Sequence, residues 1–379
     1  MKIPLCKTSL DTKESRAIAK VLKSGWLTDG PMNKRFEEAF AKYIGVKRAL
    51  TLNSCTTALQ LAIEASNITG EVILPSFTFV ASANAVVRGG ATPVFADIEY
   101  DSCNIDPEDI ERKITPRTQA IMVVHFAGQS CRMDKIIKLA AKHKLKIIED
   151  SAEAIGATYN NQKTGSFSTG CFSFFPTKNL TTGEGGMLTT NNESFADKIK
   201  TLAAHGIAKK TTGCQPEADP WHREAAYAGY NFRMSSILAA LGVEQLKKLD
   251  RMNRQRREHA AYLNKKLNFD EIDLPVELKG CRHVYQMYTI KIKRIPRRDF
   301  VLGLRKMGIM ASVHFTPPVH LQEYYANKYK YSLNDLPVTK RVTDSIVTLP
   351  MYPGLVKKEL DYIVNSVTKI LHKLNRRQI

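Results

Sequence analysis

The stretch Phe172–Gly186 reads FSFFPTKNLTTGEGG and carries one basic residue, Lys178. A lysine ammonium avoids burial unless it is paired or neutralised. Among aromatics and a proline, Lys178 is either an ordinary lysine whose head reaches water or an amine meant to lose its charge. An amine of the second kind is the nucleophile of Schiff-base chemistry. Asp150 closes the apolar run of IIEDSAEA. A carboxylate there either caps a following helix or answers a cation or hydrogen-bond donor. The third candidate is NSCTT, Asn53–Thr57, where a strand pattern gives way to a helix pattern. Its N–H groups and hydroxyls either form an anion site at a helix N-terminus or are used by an N-cap at Ser54 or Thr56. An anion cradle, a carboxylate and an amine are together what pyridoxal phosphate requires.

These groups need a scaffold that presents them on one side. Short apolar runs at Ala49–Leu52, Val72–Leu74, Val94–Ala96, Ala120–His125 and Lys146–Ile148 read as strands. Between them lie helical patterns around Ala58–Ile63, at Ala81–Val87 and in MDKIIKLAAKHK from Met133. Strands alternating with amphipathic helices predict an α/β fold with a mostly parallel sheet covered on both faces. Such sheets bind ligands at the carboxyl ends of their strands. A long helical pattern from Ser235 leads out of this region. The strand-like Thr289–Arg294 and the helical Val301–Met307 and Lys357–Leu374 then predict a smaller α+β domain. The expected division is a large cofactor-binding domain over 1–250 and a small C-terminal domain over 251–379.

The chain has 379 residues, is 43% hydrophobic and 25% charged, and carries a net charge of +19. This composition excludes disorder and predicts affinity for phosphate-bearing ligands. The start lacks a secretory signal pattern and IMVVHFAG is too short to span a membrane, so a cytoplasmic protein is expected. Seven scattered cysteines without a CxxC pair predict reduced thiols, with no zinc or iron–sulfur site.

The same residues resemble the DegT/DnrJ/EryC1/StrS sugar aminotransferases. The resemblance runs from SGWLTDGP through NSCTTALQLAI, LPSFTFVASANAV, VVHFAGQ, IIEDSAEAIGA and SFFPTKNLTTGEGG. It continues through GYNFRMSSILAALGVEQL and VHFTPPVHLQEYY to LPMYPGL. It implies the type I fold of pyridoxal-phosphate-dependent aminotransferases and a role in amino-sugar and polysaccharide biosynthesis. Lys178 is then the Schiff-base lysine and proton-transfer base, and Asp150 the carboxylate on the pyridine nitrogen. Phe79 matches the aromatic that stacks on the ring. Ser173 and the backbone of Cys55 and Thr56 match the phosphate cradle, with Asn231 contributed by a partner subunit and Arg233 supporting its loop. A homodimer with shared active sites follows.

Glu153 occupies a position where many relatives have Gln or His near the cofactor's phenolic oxygen. An ionised carboxylate would repel that oxygen, so Glu153 is expected to be protonated or turned to another partner. His320 and Thr28 are expected on the substrate side. His314, His283 and Tyr285 resemble residues bordering the same site.

The activity implied is transfer of an amino group, from glutamate, to a nucleotide-diphosphate-linked keto-sugar. A cyclitol ketone is the alternative acceptor. A dehydratase on this scaffold would replace Lys178 by histidine. A different class, a basic non-catalytic binding protein, draws on KIKRIPRR and the terminal NRRQI. Those segments lack the aromatic interleaving of a single-strand binder, and no nucleic-acid partner is expected.

Overall fold

The apolar runs become strands because both of their faces are covered. Val72, Ile73 and Leu74 are fully buried, as are Ile121, Met122 and Val123, so these strands read as continuous apolar segments instead of alternating ones. The computed structural model describes residues 1–207 and 224–376. Cys214 and residues 377–379 of the NRRQI tail lie outside them.

Seven strands form the main sheet in the order Arg48–Leu52, Gly186–Thr190, Thr169–Ser173, Lys146–Asp150, Thr118–Val124, Glu71–Pro75, Thr92–Ala96. The last five of these pair in parallel, and Gly186–Thr190 runs antiparallel to both its neighbours. In the parallel register Asp150 lies beside Cys171. Asp150 and Ser173, each the last residue of its strand, therefore emerge at the same edge of the sheet.

The helix Cys55–Ala65 buries Ala58, Leu59, Leu61, Ala62 and Ile63 against this sheet. Ser54 caps it by accepting the Thr57 N–H at 3.2 Å. The smaller unit is an antiparallel sheet of Ile272–Asp273, Tyr288–Ile292 and Ile346–Leu349. The helices Arg297–Lys306 and Lys357–Asn375 supply Phe300, Leu304, Ile363 and Val367 to its core.

One helix, Ser236–Lys266, serves both units. Its Ala239, Val243, Leu249 and Met252 pack with Phe36, Phe40, Phe172 and Phe174. Its Ala260 and Leu263 pack with Tyr288, Ile290 and Ile3. The units thus meet inside a continuous helix that crosses position 250 without a break. The N-terminal segment belongs to the smaller core, because the Ile3 N–H donates to the Gly308 carbonyl and Met310 N–H donates back to that of Ile3.

Phe40 is fully buried, with its ring 5.0 Å from Phe172 and 5.7 Å from Phe174 between centroids. Those two residues flank the strand end that leads to Lys178. Phe40→Ala is expected to cost about 3–5 kcal/mol of stability, read as an earlier chemical-denaturation midpoint.

Candidate active site

A cavity of about 530 Å³ opens where the parallel strands end. The loop after Glu71–Pro75 lines it with Thr78 and Phe79, and the loop after Lys146–Asp150 with Ala152 and Glu153. Ser173, Phe175 and Lys178 come from the end of Thr169–Ser173 and the loop after it, and Ser54, Cys55 and Thr56 from the start of the helix Cys55–Ala65. The smaller unit contributes Gln286, Met287, His314, Thr348 and Met351, and the N-terminal segment adds Leu5 and Cys6.

Asp150 is buried at the inner end of this cavity. The Ser82 hydroxyl donates to its Oδ2 at 2.8 Å and the Ala152 N–H to its Oδ1 at 3.1 Å. Burial pushes the carboxyl up from its ordinary range, while these two donors and the Lys178 charge favour the ionised form. Among the described residues no cationic side chain forms an ion pair with Asp150. A protonated ring nitrogen is a group that would satisfy it. Asp150 also accepts from Ala152 in the turn that follows, and no helix starts there for it to cap.

Lys178 Nζ lies 3.3 Å from Glu153 Oε1. The other oxygen of Glu153 accepts the Ala127 N–H at 2.9 Å. Both oxygens of Glu153 thus have partners within the chain. The backbone of Lys178 is held as well, because its N–H donates to Phe175 O at 2.9 Å. On one side Gln286 Nε2 donates to the Thr177 carbonyl at 2.9 Å. On the other, Asn179 Nδ2 donates to Asn253 Oδ1 of the long helix at 2.6 Å. His259, further along that helix, reaches the Pro353 carbonyl with Nε2 at 3.1 Å.

The cradle is narrow by construction. A Cβ at Gly186 would stand 2.3 Å from the Ser54 carbonyl carbon and 2.6 Å from the Cys55 nitrogen, so only glycine lets the strand approach the helix start this closely. Ser173 and the first-turn residues Cys55 and Thr56 line the cavity beside it. Phe79 is 67% exposed at the rim, an aromatic face open to a ligand.

Other candidates stand elsewhere. His320 is fully buried and away from the cavity lining. Its Nδ1 is 2.6 Å from Ser76 Oγ, and its ring packs edge-on against Tyr331. This placement gives it a packing role where the substrate side was expected. Thr28 pairs with Ser235 and Asn231 with Ala204 in isolated bridges, and neither lines the cavity of its own chain. Arg233 Nη2 is 3.3 Å from His205 Nε2. His283 stacks on Tyr285 at 3.9 Å behind the wall. His314 does border the cavity, with Nδ1 2.8 Å from Thr348 Oγ1. Ser82 and Ala127, inside the segments LPSFTFVASANAV and VVHFAGQ, join Gln286, Leu5 and Cys6 as participants that sequence reasoning did not single out.

The family model for DegT/DnrJ/EryC1/StrS aminotransferases matches residues 8–368. The chain belongs to that family. Among curated relatives it is 38% identical to the spore coat polysaccharide biosynthesis protein SpsC of Bacillus subtilis, over 97% of each chain. It is 37% identical to the GDP-perosamine synthase of Caulobacter vibrioides, over 98% of each. The solved structure of Helicobacter pylori PseC, an aminotransferase involved in the biosynthesis of pseudoaminic acid, superposes with a TM-score of 0.91 at 32% identity. That match covers 98% of this chain and all of the other.

The DegT/DnrJ/EryC1/StrS enzymes are pyridoxal-phosphate-dependent transaminases. The donor set fits that cofactor: an amine at Lys178, a buried carboxylate at Asp150, an aromatic face at Phe79, and hydroxyls beside a helix N-terminus for a phosphate. No helix among the described residues is long and apolar enough to cross a membrane.

Two buried imidazoles give the fold a pH signature. Burial pushes His320 down to about 4 and His283 down to about 3. An unfolded chain protonates both below about 6.5, so it binds more protons than the folded one as pH falls from there towards 4. Stability is therefore full above that window and declines through it. His320→Gln is expected to flatten part of the decline, read from thermal unfolding at stepped pH between neutrality and about pH 5.

Proposed function

We propose that this enzyme moves an amino group from an amino acid, with glutamate as donor, to the keto carbon of a nucleotide-diphosphate-linked sugar. One observation carries the reading. A lysine amine and a buried carboxylate emerge from adjacent parallel strands into one cavity, with a helix N-terminus beside them. Two further facts support the sugar-nucleotide acceptor. The chain matches a GDP-perosamine synthase over 98% of its length, and its charge of +19 suits a ligand with two phosphates.

Pyridoxal phosphate, when bound, supplies the electron sink that a carbon needs on losing its proton. The protein's own groups do the rest. Asp150, aligned by Ser82 and Ala152, holds a proton on a ring nitrogen by accepting its hydrogen bond. Lys178 Nζ takes the proton from the donor's α-carbon, and in the reverse half it delivers one to the sugar carbon that becomes the amine-bearing carbon. Gln286 and Asn253 hold the Thr177–Asn179 segment from either side, which fixes the direction of approach of Nζ. Leu5, Met287 and Met351 place apolar groups on the cavity wall around this proton transfer.

A second copy of the chain completes the reading. Asn231 does not line the cavity of its own chain. Trp26, outside the cavity, is 58% exposed, as expected of surface that a partner covers. A homodimer in the cytoplasm, with Asn231 of one subunit serving the phosphate cradle of the other, accounts for both.

Purified protein given pyridoxal phosphate is expected to show the visible band of a lysine-bound cofactor. L-glutamate should bleach the band, and Lys178→Ala should lack it. A wild-type protein without the band, or a band indifferent to Lys178, would contradict the reading. Labelled glutamate with a panel of keto-sugar nucleotides then identifies the acceptor.

A further inference from the structure

Glu153 stands where a neutral side chain would suffice to touch a cofactor oxygen, yet its contacts point elsewhere. Both of its oxygens accept hydrogen bonds, Oε2 from the Ala127 N–H at 2.9 Å and Oε1 from Lys178 Nζ at 3.3 Å. Its side chain is 10% exposed and that of Lys178 16%. A carboxylate and an amine this sheltered are weakly screened from one another by solvent.

The Ala127 end of the arrangement is built with some strain. Ala127 has φ 53° and ψ 9°, a left-handed conformation that costs a residue with a Cβ. It is held there from both sides. The Phe126 N–H donates to Asn104 Oδ1 at 2.9 Å, and the Met287 N–H donates to the Ala127 carbonyl at 3.3 Å. The conformation aims the Ala127 N–H at Glu153. With Oε2 occupied, Oε1 is left for Lys178.

The other charged and titratable groups near the pair are committed elsewhere. Asp150 is engaged by Ser82 and Ala152. His314 is tied to Thr348 through Nδ1, and burial pushes its imidazole down towards the neutral form.

We propose that Glu153 is the dedicated counter-ion of Lys178, holding the ammonium inside the cavity in the interval between its two proton transfers. This role rests on the transaminase reading. In that cycle the freed amine accepts one proton from carbon and later returns one, with no net gain. Glu153 neither gains nor loses a proton. Its charge stabilises the ammonium between the two transfers, so the proton is not lost to solvent. A glutamine at this position could accept the Ala127 N–H equally well, but it would bring no charge to Nζ.

The test reads the pair directly in the full-length, cofactor-free protein. Lys178 acetylation by a trace of acetic anhydride at about pH 8 is measured by mass spectrometry, relative to exposed lysines such as Lys34. Only the neutral amine reacts. Glu153→Gln is expected to raise the relative rate at Lys178 by about tenfold, the scale of losing one opposite charge at contact distance. Glu153→Asp keeps the charge on a shorter arm and should fall between, which also covers the case in which the glutamine variant does not fold. Equal Lys178 rates within about twofold in wild type and variants, or a slower rate in either variant, would overturn the proposal. Failure of the visible band in wild type would instead overturn the transaminase reading, while the labelling result would still report whether the pair exists.

Discussion

The last side chain of a strand covered on both faces emerges at the edge of the sheet, and Asp150 takes that position. The rest of the cavity follows from this constraint. The carboxylate is largely buried, so it needs donors, and Ser82 and the Ala152 N–H supply them. Because the neighbouring strand is parallel and in register, its own end delivers Ser173 and the Lys178 loop to the same edge. A mostly parallel sheet thus gathers side chains far apart in sequence without any of them being neighbours along the chain. The antiparallel insertion of Gly186–Thr190 then brings the loop back past the helix Cys55–Ala65, where Gly186 permits the close approach.

Much of this is legible in the amino-acid sequence. The strand runs near Val72, Ala120 and Lys146 are apolar because both faces are buried, and that same burial made them readable. Lys178, Asp150 and the NSCTT turn announce themselves because charge and hydroxyls interrupt apolar patterns. Ser82 was silent, since a serine in an amphipathic helix looks like any solvent-facing residue until the strand end opposite is known. Ala127 was silent for another reason: its contribution is a backbone N–H, and the left-handed turn that aims it leaves no signature in an alanine. Leu5 and Cys6 reach the cavity only because Ile3 pairs with Gly308 and Met310 from the far end of the chain.

His320 shows the opposite error. It lies in a segment that does border the cavity, through His314, and a histidine near two prolines reads easily as functional. Six residues separate the two rings, enough for the turn at Val319–Leu321 to carry His320 into the core beside Ser76. Asn231 and Thr28 differ again. Their bridges to Ala204 and Ser235 place them away from the cavity of their own chain, a position that a single chain's pattern cannot assign to any cavity.

The helix Ser236–Lys266 touches the Lys178 loop through Asn253 and the small-unit wall through His259. At 1.5 Å of rise per residue these two contacts are about 9 Å apart along its axis. A continuous helix resists stretching, so it acts as a ruler between the loop that carries Lys178 and the Pro353 turn of the smaller unit. The spacing of those two segments is therefore set when the chain folds.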